Sequence, residues 1–189
     1  MDSWIFRPGP PLISVTAAED RRTITVRQSP FAFHADPAAN AAAPDPRPRS
    51  VPVVVRTGTG DGTTVHRILL EEAEATVELD APFDWLVGNH EGNGFYRVER
   101  SDDGLAEVAA RAATELSPLE RYGLVEDQWG LLLADRIEVG RLLSLLRHLA
   151  TEDDLSVWQR MVGVLGGVER VAGDDQREAL AAWTRALVA

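Results

Sequence analysis

The 189-residue sequence contains no cysteine and no lysine. Without cysteine there is no disulfide, no thiolate nucleophile and no cysteine-ligated metal. All nineteen basic residues are therefore arginine. That excludes a Schiff-base or pyridoxal-phosphate lysine and the lysine of a phosphate-binding loop. No run of about 18 apolar residues exists, so no segment has the composition of a membrane-spanning helix. The richest apolar zone, residues 131–149, is broken by Asp135, Arg136, Glu138, Arg141, Arg147 and His148. Positive charge is in deficit as well. A net charge of −11 argues against nucleic acid and against anionic membranes, since both need clustered positive charge. The opening Met1-Asp2-Ser3-Trp4 has no basic region ahead of an apolar core, so it does not read as a signal peptide. Together with the missing cysteine, this leads to the expectation of a cytoplasmic, reducing environment.

What is present divides into two periods. Up to about residue 100, apolar and polar residues alternate in short runs separated by Gly and Pro. Beyond it, apolar residues recur every three or four positions. The change predicts an α+β chain of two segregated units: an all-β sandwich over residues 1–100, then an all-α, solenoid-like bundle of helical hairpins over 101–189. The joint between them is Asn89-His90-Glu91-Gly92-Asn93-Gly94-Phe95-Tyr96-Arg97-Val98.

In the first unit, seven or eight strands are expected. Trp4-Ile5-Phe6 and Leu12-Ile13-Ser14-Val15 are two of them, and Thr23-Ile24-Thr25-Val26-Arg27-Gln28 puts Ile24, Val26 and Gln28 on one face. Residues 35–50 carry four prolines in an Ala/Pro/Asp context and read as a mobile surface loop. Residues 51–55 are nearly all apolar and read as a central strand. Gly58-Thr59-Gly60-Asp61-Gly62 resembles a phosphate-cradling loop, but it lacks the lysine and a following helix, so it reads as a hairpin turn. Residues 64–70, 75–79 and 84–87 supply further strands.

In the second unit, about five helices are expected. Ser117-Pro118-Leu119-Glu120 is a capping box with proline at the first helical position. The helix it opens carries Tyr122, Val125, Trp129 and Leu132 as a stripe. Leu142, Leu145, Leu146 and Leu149 stripe the next. Thr151-Glu152-Asp153-Asp154 opens a helix read with Leu155, Trp158, Val162 and Leu165 on one face. Asp174 is expected to cap the last helix, whose Leu180, Trp183 and Leu187 share a side. The helical unit is expected to be truncated, and a helical array cut short leaves an apolar face at its last helix, so Leu180, Trp183 or Leu187 is expected to be exposed or covered by a second copy of the chain.

Candidate chemistry is thin. The histidines His34, His66, His90 and His148 are never three or four residues apart. His90-Glu91 begins like the zinc-peptidase H-E-x-x-H, but the second histidine would be Gly94, and Gly92 and Gly94 oppose the helix that the motif needs. The joint reads instead as a glycine-rich turn. Asp102-Asp103 and Glu152-Asp153-Asp154 lie at helix starts, where they meet the helix dipole. No residue set is assigned as catalytic, metal-binding or cofactor-binding.

An ordered set of landmarks remains. Trp4, Gly9 and Pro11 with Leu12-Ile13-Ser14-Val15 come first, followed by Gln28 and Phe31, then Val51-Pro52-Val53. Asn89 and Gly94-Phe95-Tyr96-Arg97-Val98 follow. Leu116-Ser117, Glu120-Arg121, Leu124 and Asp127, then Trp158, complete it. This order and spacing resembles the C-terminal part of the M1 zinc aminopeptidases, the aminopeptidase N family: the third, β-sandwich domain and the first helices of the helical fourth domain. Arg7, Arg49 and Arg100 depart from the family pattern, standing where Gln, Trp and Tyr are usual.

The resemblance implies a non-catalytic segment. The zinc-binding helix, the exopeptidase motif and the oxyanion-stabilising tyrosine of the family all belong upstream, so zinc is expected only in that catalytic domain, which is also the implied partner. The segment would link the catalytic domain to the helical domain that covers the active site of an enzyme removing N-terminal residues from peptides. Two other readings stand beside it: a free-standing protein-binding scaffold of sandwich plus helices, and a hydrolase with its own site around His90, Glu91 and Asp127.

Overall fold

The computed structural model describes residues 9–33 and 47–188. The expected strand Trp4-Ile5-Phe6, the landmark Trp4, His34 and most of the proline-rich loop lie outside the described residues. Among the described residues there are seven strands and six α-helices. The strands are β1 (Pro11–Ala17), β2 (Thr23–Pro30), β3 (Val51–Thr59), β4 (Gly62–Leu70), β5 (Glu74–Glu78), β6 (Trp85–Val87) and β7 (Arg97–Glu99). A 3-10 turn, His90–Gly92, separates β6 from β7. The helices are α1 (Asp102–Ala109), α2 (Ala112–Glu115), α3 (Pro118–Leu133), α4 (Val139–His148), α5 (Leu155–Val171) and α6 (Asp174–Leu187).

Two sheets form the sandwich, in the orders β5-β2-β1-β7 and β4-β3-β6. Every pairing is antiparallel except β1 with β7, where Ile13 lies beside Val98. Alternation decides what faces inward. Ile13, Val15, Ile24, Val26 and Val98 from one sheet meet Val51, Val53, Val55 and Leu86 from the other. β3 is central in its sheet, and Gly60-Asp61 turn it tightly into β4, so the glycine-rich stretch is a hairpin.

The sixth helix is α2, whose four residues Ala-Ala-Thr-Glu carry no periodicity to read. α3 begins with the capping box, its Ser117 hydroxyl accepting from the Glu120 amide at 3.3 Å. It buries more than one stripe. Val125 faces the helical core, while Leu131 packs with Leu12 and Phe31 on the outer face of the four-stranded sheet. α4 buries Leu142, Leu145 and Leu146, as its stripe predicts.

α5 corrects the sequence reading. Its buried residues are Val157, Met161, Val164 and Leu165, whereas Leu155 is 70% exposed and Val162 61%. α6 starts one residue earlier than expected: Gly173 is the N-cap and Asp174 is the first helical residue. Its apolar side is not uncovered. Leu187 is buried, Leu180 and Trp183 pack against the helical core, and the Arg147 guanidinium lies 5.7 Å over the Trp183 ring. The exposed face expected of these three residues is therefore absent.

The two halves are not merely adjacent. Trp85 and Val87 of β6 belong to the helical core with Leu105 and Val108 of α1.

Candidate functional site

The residues singled out in the joint converge with the start of α3 on one buried carboxylate, Glu120. Its Oε1 accepts from Arg56 Nε at 3.1 Å and the Glu91 amide at 3.4 Å, and lies 2.9 Å from His90 Nδ1. Its Oε2 accepts from Arg56 Nη2 at 2.5 Å and the Ser117 amide at 3.1 Å. Arg56 comes from β3, lies 4.8 Å over the Trp85 ring, and donates also to the Glu115 carbonyl. Glu120 thus ties β3, the 3-10 turn and α3 together, and Arg56 adds α2. Burial pushes the Glu120 carboxyl up, but the bonds from Arg56, His90 and Ser117 outweigh it and hold it below its ordinary range.

His90, Glu91 and Glu120 also place potential ligand atoms within 4.8 Å of one another. The donor set does not fit zinc. Both Glu120 oxygens are already used, and a divalent ion there would face the Arg56 guanidinium directly. Glu91 has φ +52°, a left-handed conformation that ends any helix, so His90-Glu91 cannot open an H-E-x-x-H helix. His90 is nevertheless more than a turn residue, because it joins the turn to α3.

Two turns further along α3, Asp127 is buried against Arg100, with Nη1 3.6 Å from Oδ2. Burial pushes the Asp127 carboxyl up to about 6, against the pull of Arg100, the Val98 amide and Arg97. Burial likewise lowers the Arg100 guanidinium. Arg97 donates to the Glu126 carbonyl at 2.8 Å and to its carboxylate at 3.1 Å, and lies 5.1 Å over the Phe31 ring. Gly130 makes this possible, since a Cβ there would sit 2.6 Å from the Arg97 guanidinium. Arg160 of α5 reaches the same Glu126 at 2.6 Å.

The remaining landmarks hold turns and seams. Asn89 closes the joint by accepting from the Gly94 amide at 2.8 Å and donating to the Gly94 carbonyl at 3.0 Å. A Cβ on Gly94 would lie 1.8 Å from the Tyr96 ring. The Tyr96 hydroxyl donates to Gly88 O at 3.0 Å and accepts from the Val54 amide at 3.1 Å, and burial pushes it up to about 12. Gln28 clamps the end of the proline-rich segment, donating to Arg49 O and Glu72 O and accepting from the Arg49 amide. Arg49 in turn donates to Gly9 O at 2.9 Å. Residues 47–50, expected to be mobile, are held there. Pro11 and Val98 sit in β1 and β7, and Pro52 is exposed on β3. Arg121 and Trp158 meet on Glu152: Arg121 donates to its carboxylate at 2.6 and 2.7 Å, and Trp158 Nε1 to its carbonyl at 2.6 Å.

The ligand atoms that cluster with His90 and Glu91 are those of Glu120, and Asp127 is not in that cluster. Two partners escaped the sequence reading. Arg56 is the charge that follows the apolar run of β3, and Glu152 sits in an acidic run that a helix start explains by itself. Neither carries a local signal for a partner about 30 or more residues away.

Comparison with known proteins fits this geometry. The ERAP1-like C-terminal domain family model matches residues 85–189. Its match begins at β6, the strand that packs into the helical core. The chain is 32% identical over 165 residues to puromycin-sensitive aminopeptidase of Caenorhabditis elegans, covering 84% of this chain and 17% of that protein. It is 25% identical over 177 residues to tricorn protease-interacting factor F2 of Thermoplasma acidophilum, covering 94% and 20%. It is 27% identical over 161 residues to endoplasmic reticulum aminopeptidase 2 of Bos taurus, covering 82% and 16%. The chain thus spans about a fifth or less of each of these relatives. It belongs to the ERAP1-like C-terminal domain family and is a C-terminal segment of the M1 aminopeptidase type.

Proposed function

We propose that this chain is the non-catalytic sandwich-plus-helix segment of a zinc aminopeptidase whose catalytic domain removes N-terminal residues from peptides. In that role it joins the catalytic domain to the helices that cover the active site. The observation that carries the proposal is the Glu120 junction. It ties β3, the 3-10 turn and α3 through buried charge and leaves no donor set for zinc. A linker between two domains has to transmit position, and a buried, fully bonded carboxylate fixes position better than an apolar contact, because its geometry is directional. We place the division between the two units at residues 100 and 101, with β6 shared between their cores, and the protein in the cytoplasm.

The alternative, a free-standing scaffold, draws on the same two modules. The reading frame preceding Met1 separates them. An in-frame H-E-x-x-H with its distant Glu supports the aminopeptidase, while a stop codon directly upstream with independent translation from Met1 overturns it.

A further inference from the structure

A cleft of about 270 Å³ opens between the joint and α3. Leu119, Tyr122, Leu124 and Pro10 give it apolar walls, and Arg100 and Asp127 lie at its polar end. The Arg100 side chain is only 5% exposed, yet its Nε has no hydrogen-bond partner and its Nη1 has only the Asp127 carboxylate, 3.6 Å away. Arg97 Nε, in the same cleft, has none either. Leaving buried donors unpaired is costly, so an acceptor in this cleft would be favoured.

The charges indicate which acceptor. Four guanidinium groups, Arg56, Arg97, Arg100 and Arg160, face three carboxylates, Glu120, Glu126 and Asp127. Arg141, which donates to Arg100 O, is matched separately by Asp102, and Glu91 is exposed and screened by water. Arg97, Arg100 and the three carboxylates line the cleft, while Arg56 and Arg160 reach Glu120 and Glu126 from outside it, so the network as a whole carries one positive charge over. We propose that this cleft binds a small monocarboxylate with an apolar body, its carboxylate on Arg100 and Arg97 and its body against Leu119 and Tyr122. An apolar cavity of about 150 Å³ can hold a benzene ring, so a benzoate-sized acid fits.

Asp127 is the competing counter-ion. It faces Arg100 and Arg97 and the Tyr96 hydroxyl, while Glu126 and Glu120 on its own helix are each bonded elsewhere. Protonating it frees Arg100, so binding tightens as pH falls through about 6. Binding must in turn favour protonation of Asp127 by the same factor.

The test is titration of the intact chain with benzoate by calorimetry and by amide NMR, at about pH 5.5 and about pH 7.5. The expected result is binding at least roughly threefold tighter at the lower pH, with shifts at Gly94, Arg100 and Asp127. Asp127→Asn should bind equally at both pH values, and Arg100→Gln should lose roughly tenfold or more in affinity. No benzoate binding would overturn the proposal. So would benzyl alcohol binding as tightly as benzoate, or Asp127→Asn retaining the wild-type pH dependence, an outcome readable even if Arg100→Gln fails to fold.

Discussion

Glu120 and Asp127 sit two turns apart on α3, both buried, both beside an arginine, and they behave oppositely. Glu120 is held below its ordinary range, while Asp127 is pushed up to about 6. The difference lies in the number and aim of donors. Glu120 receives a two-point grip from Arg56, two backbone amides and an imidazole. Asp127 has one backbone amide, Val98, and an arginine 3.6 Å away, beyond ordinary hydrogen-bonding distance. One amide and a nearby opposite charge do not offset the loss of hydration; a full set of directed hydrogen bonds does. The first environment makes a rigid seam. The second makes a cleft with spare donors.

Breaking the seam should have the largest effect. Glu120→Ala leaves Arg56 buried without its counter-ion and should cost about 3–5 kcal/mol in denaturant unfolding. The pH dependence separates the two carboxylates next. The native proton on Asp127 persists to about 6, whereas the unfolded group loses it near 3.9. Between those values the native state holds the extra proton, so this group's contribution to stability falls as pH rises, by on the order of 1–3 kcal/mol, and is level above. Asp127→Asn should abolish that fall. Glu120 runs the other way: its contribution is full above its unfolded value and is lost as pH drops through its lowered native value. Thermal scans of both variants across pH would show the opposite slopes.

A neutral group tests whether the rule concerns charge or bonding. Tyr96→Phe orphans Gly88 O and the Val54 amide and should cost about 1–2 kcal/mol with no dependence below pH 9 or so. The smallest effect belongs to the solvent face of α5. Val162→Ser should stay within about 0.5 kcal/mol, because Val162 is exposed.

The strands were legible because alternation has one solution per strand. Ile24, Val26 and Gln28 turn inward as their spacing requires, and Gly60-Asp61 turn the hairpin. Helix existence was legible wherever a cap marked it, as at Ser117. Helix phase was not. α5 is apolar on more than one face, so Leu155 and Val162 form as regular a stripe as Val157, Met161 and Val164, and only the neighbouring helices decide between them. At the start of α6, Gly173, Asp174 and Asp175 all suit the first turn, and local sequence does not rank them. The site was least legible. His90 was readable as a failed zinc motif, but its real partners, Glu120 and through it Arg56, are distant in sequence and look like a helix cap and a surface charge. Asp127 and Gln128 lie off the apolar stripe of α3 and are nevertheless buried, because α3 packs on the sheet as well as on the helices.

The central claim is that the seam at Glu120 is structural and that aminopeptidase chemistry is not carried by these residues. Equilibrating the purified chain with excess zinc, removing unbound ion and measuring bound metal by elemental analysis tests it most directly. The account predicts far less than one zinc per chain, unchanged in His90→Ala. One zinc per chain, lost in His90→Ala, would contradict it.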